Sequence, residues 1–217
     1  MDTFEAIRAR CSIREFTSQP VPKDTVLKLL ELATRAPSSA NTQGWEMFVA
    51  GGPVMEKIRQ AYIQRFKENK PSQSELRGIP PAQMPAPMRD RMNQMRAERF
   101  KGDEALSKAN MERSHHFFGA PVLVVVCMPR VLSVFSSFDM GCMVQTLCLA
   151  ATAQGLGSII AGGFVSQPDI LRKELEIPDD LIIVTGVVLG YEDKKNPVNN
   201  YHSSRRPIMD VVRIKGL

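Results

Sequence analysis

The sequence predicts an α+β fold in a single domain of 217 residues. Two apolar runs rich in β-branched residues, 122–127 and 181–191, read as buried strands. Segments with apolar residues every three or four positions, such as Val26, Leu29, Leu30 and Ala33, read as helices that pack by one face. A hydrophobic content of 43% beside 24% charged residues is that of a globular protein, and the length suffices for one substantial core.

Residues 3–10 read as a short amphipathic helix with Phe4 and Ile7 inward, and it runs into Arg10-Cys11-Ser12-Ile13-Arg14-Glu15-Phe16. Just past a helix end, these arginines and this serine offer guanidinium and hydroxyl donors to an anion; they would equally make a solvated basic turn. Pro22 opens the next helix with a φ already suited to a first turn. That helix delivers the chain to Ala36-Pro37-Ser38-Ser39-Ala40-Asn41-Thr42-Gln43-Gly44-Trp45. Pro37 stops the helix near Arg35, and the hydroxyls and carboxamides that follow either read the edge of a flat heterocycle or satisfy their own loop backbone. Residues 45–50 read as a strand, Gly51-Gly52 as a turn, and Pro53 as the start of a helix carrying Met55, Ile58, Tyr62 and Phe66.

Residues 67–114 differ in composition. Prolines punctuate the first half, and Met88, Met92 and Met95 share a helical face in the second, with Arg89, Arg91, Arg96 and Arg99 between and beyond them. A methionine stripe serves core packing, or an adaptable lid over an aromatic ligand. Gly119-Ala120-Pro121 opens the strand at 122–127. From Met140 to Pro168 there is no charged residue, but Gln145, Gln154, Gly155 and Gly157 interrupt the run. The reading is a buried helix over 138–154 followed by a strand from Gly157, with no membrane span. A helix without charges must be covered on all sides, and a partner subunit is one way to cover it. Gly162-Gly163 ends the strand and permits a tight turn or a close backbone approach to a ligand. A short helix over 168–175 and the strand at 181–191 follow. The tail, 196–217, starts rich in Pro, Asn and Ser and ends with Ile208, Val211, Val212 and Ile214, so it is expected to dock along the fold or on a partner.

The excess of 28 Lys and Arg over 23 Asp and Glu, a formal charge of +5, is too mild to point to nucleic acid and fits an anionic small molecule. The four cysteines form no CxxC pair and the three histidines have no metal-ligand spacing, so buried thiols in a reducing compartment and no metal are expected. Asp2 and Glu5 stand where a secretory signal would be basic, and cytoplasmic residence is the expectation.

Taken together, these motifs resemble the FMN-dependent nitroreductase family. Arg10 to Phe16 is similar to its Arg-x-Ser-x-Arg-x-Phe segment, and Pro37 to Trp45 to its Pro-Ser-Ser-x-Asn-x-Gln-x-Trp loop. Gly155-Leu156-Gly157, Gly162-Gly163-Phe164, Leu189-Gly190-Tyr191 and Arg205-Arg206-Pro207 match its later landmarks in order. The resemblance implies a nitroreductase-like α+β fold: a central mixed, mostly antiparallel sheet flanked by helices, in an intertwined homodimer. It implies one domain over 1–217, with 67–114 as a lid-type helical insert and 196–217 docking on the partner subunit. It implies FMN at the subunit interface, bound by Arg10, Cys11, Ser12, Arg14, Arg205 and Arg206 at the phosphate and the polar edge. Pro37, Ser38, Ser39, Asn41 and Gln43 would line the site, some reaching the partner's flavin, and Ile160, Ala161, Gly162 and Gly163 would lie along the side leading to N5. Cys11 departs from the family, where many members have a basic residue.

The implied function is reduction of nitroaromatic or similar electrophilic aromatic compounds, with NADH or NADPH as transient donor and ping-pong kinetics. No protein nucleophile is needed, because the hydride chemistry belongs to the flavin. The other chemistries in view are flavin-dependent reductive dehalogenation or alkene reduction, and a non-catalytic flavin- or nucleotide-binding role.

Overall fold

The computed structural model describes residues 1–76 and 78–216; Arg77 in the insert and Leu217 at the end of the tail lie outside them. At its centre is a four-stranded sheet in the order β1-β2-β4-β3. The strands are β1 (Glu46–Gly51), β2 (Val122–Pro129), β3 (Gly157–Ala161) and β4 (Leu181–Gly190). All ladders between them are antiparallel. The parallel element is a bridge from Ser12 to Ser158 on the outer edge of β3, which makes the sheet mixed as expected.

Among the described residues, seven helices surround the sheet: α1 (Thr3–Ala9), α2 (Lys23–Ala33), α3 (Gly52–Lys67), α4 (Ala86–Phe100), α5 (Glu104–His115), α6 (Ser136–Ala153) and α7 (Pro168–Leu175). The alternation of β2 explains how they divide. Leu123, Val125 and Cys127 join Met55, Ile58 and Tyr62 of α3 and Leu171 of α7 in one core. Val122, Val124 and Val126 join Val26 and Leu29 of α2 and Met140, Met143 and Leu147 of α6 in the other. With both faces covered, β2 is apolar throughout although its sheet is antiparallel. Each such side chain, fully buried, contributes about 1.5–3 kcal/mol.

The structure corrects the reading of α1. Phe4 and Ile7 point outward, 71% and 53% exposed, and the helix buries only Ala6. A seven-residue helix leans on its neighbour by one narrow stripe, and the small residue occupies it. The methionine stripe is likewise no part of this chain's core: Met88, Met92 and Met95 are all exposed, and Phe100 is the buried residue of α4. The composition of the insert hid α5, which is held to α3 by stacking of His115 on Phe66 with ring centroids 4.3 Å apart. The tail's Ile208, Val211 and Ile214 stay exposed, so its last residues do not pack on their own chain.

Candidate functional site

The segment after α1 is laid along the free edge of the sheet. Ile13 N–H donates to Ser158 O at 3.0 Å, and Thr17 N–H to Tyr191 O at 2.9 Å. Ile13 and Phe16 are buried, so Ser12 and Arg14 are turned the other way. Asn199, only 4% exposed, locks this stretch to the tail: its Oδ1 accepts from Arg14 N–H at 2.7 Å and its Nδ2 donates to Glu15 O at 2.9 Å. Arg14 Nη1 donates to Ser12 O at 2.9 Å, which fixes its guanidinium. Burial pushes the Arg14 pKa down, and burial with Glu192 pushes the Cys11 thiol up, so Cys11 is a neutral wall residue.

These contacts enclose a cavity of about 850 Å³. Arg8, Arg10, Cys11, Ser12 and Arg14 form one wall, Gln145 of α6 and Ile160 of β3 another, and Tyr201, His202, Ser203 and Arg205 of the tail a third. Met95 of α4 closes the insert side. Among the described residues four arginines and no carboxylate line it, so the cavity carries a positive potential suited to an anion. Ala161, Gly162 and Gly163 continue from Ile160 at the end of β3. A Cβ on either glycine would meet no atom within 4 Å, so their backbone is open to close approach. The turn bearing them is braced by the buried Tyr62, whose hydroxyl donates to Phe164 O at 2.8 Å. Desolvation raises the Tyr62 pKa well above its ordinary value, which keeps that donor protonated.

Of the residues singled out from sequence, Arg10, Cys11, Ser12, Arg14, Ile160 and Arg205 thus share one cavity. Arg206 does not line it and instead donates to Asp210 O at 2.7 Å. Pro37, Ser38, Ser39, Asn41 and Gln43 do not line it either. Their loop is largely self-satisfied: Ser38 Oγ accepts from Gln43 N–H at 2.9 Å, and Gln43 Nε2 donates to Asn41 Oδ1 at 3.3 Å. Ser39 N–H donates to the buried Asp139 at 3.2 Å, tying the loop to α6. Ala40, Asn41 and Gln43 have φ of 49°, 55° and 46°, left-handed values in which non-glycine residues are held by their surroundings. Sequence reasoning did not single out Gln145, Tyr201 or Asn199 as site residues. Asn199 carried a signal, since a buried carboxamide is a common way to satisfy irregular backbone, but its partners lie 184 and 185 residues away.

Residues 7–191 match the Nitroreductase family. The chloronitrobenzene nitroreductase of Comamonas testosteroni is 32% identical over 207 residues, covering 93% of this chain and 91% of that protein. The 4-nitrobenzoate reductase of Nocardioides sp. (strain LMS-CY) is 30% identical over 217 residues, covering 96% and 88%. Among solved structures, the FMN and NADPH-dependent nitroreductase NfnB of Sphigopyxis sp. strain HMH superposes with a TM-score of 0.93 at 26% identity, covering all of both chains.

Proposed function

The chain belongs to the nitroreductase family, and from that footing we propose that it is an FMN-dependent NAD(P)H oxidoreductase reducing nitroaromatic compounds in a ping-pong cycle. The observation that carries this reading is the cavity on the free edge of β3, where four arginines and Ser12 gather with Ile160, from which the chain runs on to the open backbone of Gly162 and Gly163. Those residues fit FMN. A phosphate requires cationic and hydroxyl donors, and a flat ring requires backbone it can approach without an intervening Cβ.

In this reading Arg10, Ser12 and Arg205 hold the phosphate, with Cys11 beside them and Arg206 at the outer margin. Arg14 puts positive charge at the polar edge of the ring, where electron density accumulates on reduction. Ile160, Ala161, Gly162 and Gly163 run along the opposite side. Bound FMN would supply two-electron chemistry, taking a hydride from NADH or NADPH and returning the electrons to a nitro group. The chain's own residues bind, orient and shield; none has to act as a nucleophile.

A homodimer belongs to the same reading. Phe4, Ile7, Phe138 and Ile160 are exposed apolar residues on and beside helix α6, which carries no charge beyond Asp139, and the apolar end of the tail finds no seat on its own chain. A second subunit would cover them and bring its loop of Pro37, Ser38, Ser39, Asn41 and Gln43 to this cavity.

An absorption spectrum tests the proposal, followed anaerobically by addition of NADH or NADPH and then nitrobenzene. Flavin bands that bleach with the nucleotide and return with nitrobenzene are expected. Protein that stays colourless after reconstitution with FMN would sink the reading.

A further inference from the structure

Gly162 and Gly163 follow β3 for a reason that the packing of this chain does not supply. Neither has the left-handed φ that would call for glycine, and a Cβ on either would meet no atom of the described residues within 4 Å. In the reading above, the missing side chains leave room for the flavin ring. The same two glycines make the turn soft, because glycine has more backbone freedom to lose than any other residue. A turn that must meet a ligand closely therefore needs an anchor.

Phe164, the next residue, is that anchor, and it is fully buried. On the sheet side Gly186 of β4 admits it, since a Cβ there would stand 2.7 Å from Phe164 Cβ. Phe117 stacks on its ring with centroids 5.2 Å apart, and Phe118 meets it edge-on at 6.1 Å. Both have a φ of 54°, a left-handed value that bulky side chains adopt only when their surroundings enforce it. Tyr62 of α3, 1% exposed, packs on Phe117 with centroids 4.8 Å apart. Its hydroxyl donates to Phe164 O at 2.8 Å and accepts from Gln167 N–H at 3.3 Å. Ring contacts fix where Phe164 sits but are weakly directional. The hydrogen bonds of Tyr62 orient the backbone itself, at two points on the segment that follows the glycines.

We propose that Tyr62 is a positioning residue for reduction of the flavin: it holds the backbone of Gly162 and Gly163 in place, and so governs how fast the nicotinamide donor delivers its hydride rather than how tightly FMN is bound. The proposal rests on the oxidoreductase reading, in which affinity resides in the arginines at the phosphate. Tyr62 does not line their cavity and acts through Phe164.

Tyr62→Phe tests it, because the ring stays and only the hydroxyl goes. In the FMN-loaded protein, anaerobic stopped-flow mixing with NADPH or NADH should show flavin bleaching slowed at least about tenfold. The FMN dissociation constant, read by fluorescence quenching, should stay within about threefold of the unaltered value. Amide exchange over residues 160–166 should quicken at least about threefold, with that of β2 unchanged. Gly163→Ala, whose Cβ clashes with no described atom, should slow bleaching by a similar factor, and it keeps the test decisive where Tyr62→Phe does not fold. Either variant bleaching at the unaltered rate overturns the proposal, as does a slowing in Tyr62→Phe matched by an equal loss of FMN affinity. Unaltered FMN-loaded protein that neither nucleotide bleaches would sink the oxidoreductase reading and this proposal with it, whereas normal bleaching indifferent to both variants removes the proposal alone.

Discussion

At the scale of single residues, Glu75 shows how the insert is fastened. Its carboxylate accepts from Arg172 at 2.8 and 3.0 Å, from Arg130 at 2.8 Å and from the N–H of Ile183 at 2.6 Å. Desolvation pushes its pKa up, but the Ile183 N–H and the two arginines outweigh that and hold it below the ordinary carboxylate value. A carboxyl depressed in the folded state adds stability above its unfolded pKa, and that stability is lost as pH falls through the folded value. Glu75→Gln should therefore lower stability by about 1–3 kcal/mol at neutral pH, a range discounted for partial exposure. The deficit should shrink as pH drops below about 4. Urea denaturation of both proteins across that range checks the sign. A deficit independent of pH would show that packing, not charge, is what the substitution removes. Nothing in the sequence singles Glu75 out, since the arginines that pair with it lie 55 and 97 residues away.

At the scale of elements, glycines set how closely the N-terminal segment lies on the sheet. A Cβ on Gly190 at the end of β4 would stand 2.7 Å from Pro121 Cδ and 2.9 Å from Phe16 Cδ1, both atoms of rigid rings. A Cβ on Gly44 would stand 2.6 Å from Leu132 Cδ1, the far end of a flexible side chain. Gly190→Ala is thus expected to cost about 1–3 kcal/mol and Gly44→Ala less than about 1, by urea titration. The first should also weaken FMN retention, because Phe16 ends the stretch that holds Ser12 and Arg14. Comparable losses from the two substitutions would contradict this account of the ring contacts.

At the scale of the whole molecule, the proposed homodimer would cover the exposed apolar surface on and beside α6. Phe138, 69% exposed on a helix with a buried opposite face, is the test position. Phe138→Asp should move the protein from dimer to monomer in sedimentation velocity and reduce bound flavin in step, while far-ultraviolet circular dichroism stays the same. A variant that remained dimeric and fully loaded would show that the interface lies elsewhere.

Periodicity and composition were enough for the elements with strong local patterns: β2 and β4 by their β-branched runs, α2 by its apolar stripe, α6 by the run without charge that starts at Met140. Motif spacing singled out Arg10, Ser12, Arg14 and Arg205, and the fold places the four in one cavity. The tertiary structure alone decided which way Phe4 and Ile7 face, that the methionine stripe lies outside the core, and that Asn199 joins the two ends of the chain. The reason is physical. Helix and strand patterns are set by neighbours within a turn or two, whereas burial and pairing are set by residues a hundred or more positions away, which become neighbours only when the chain has folded.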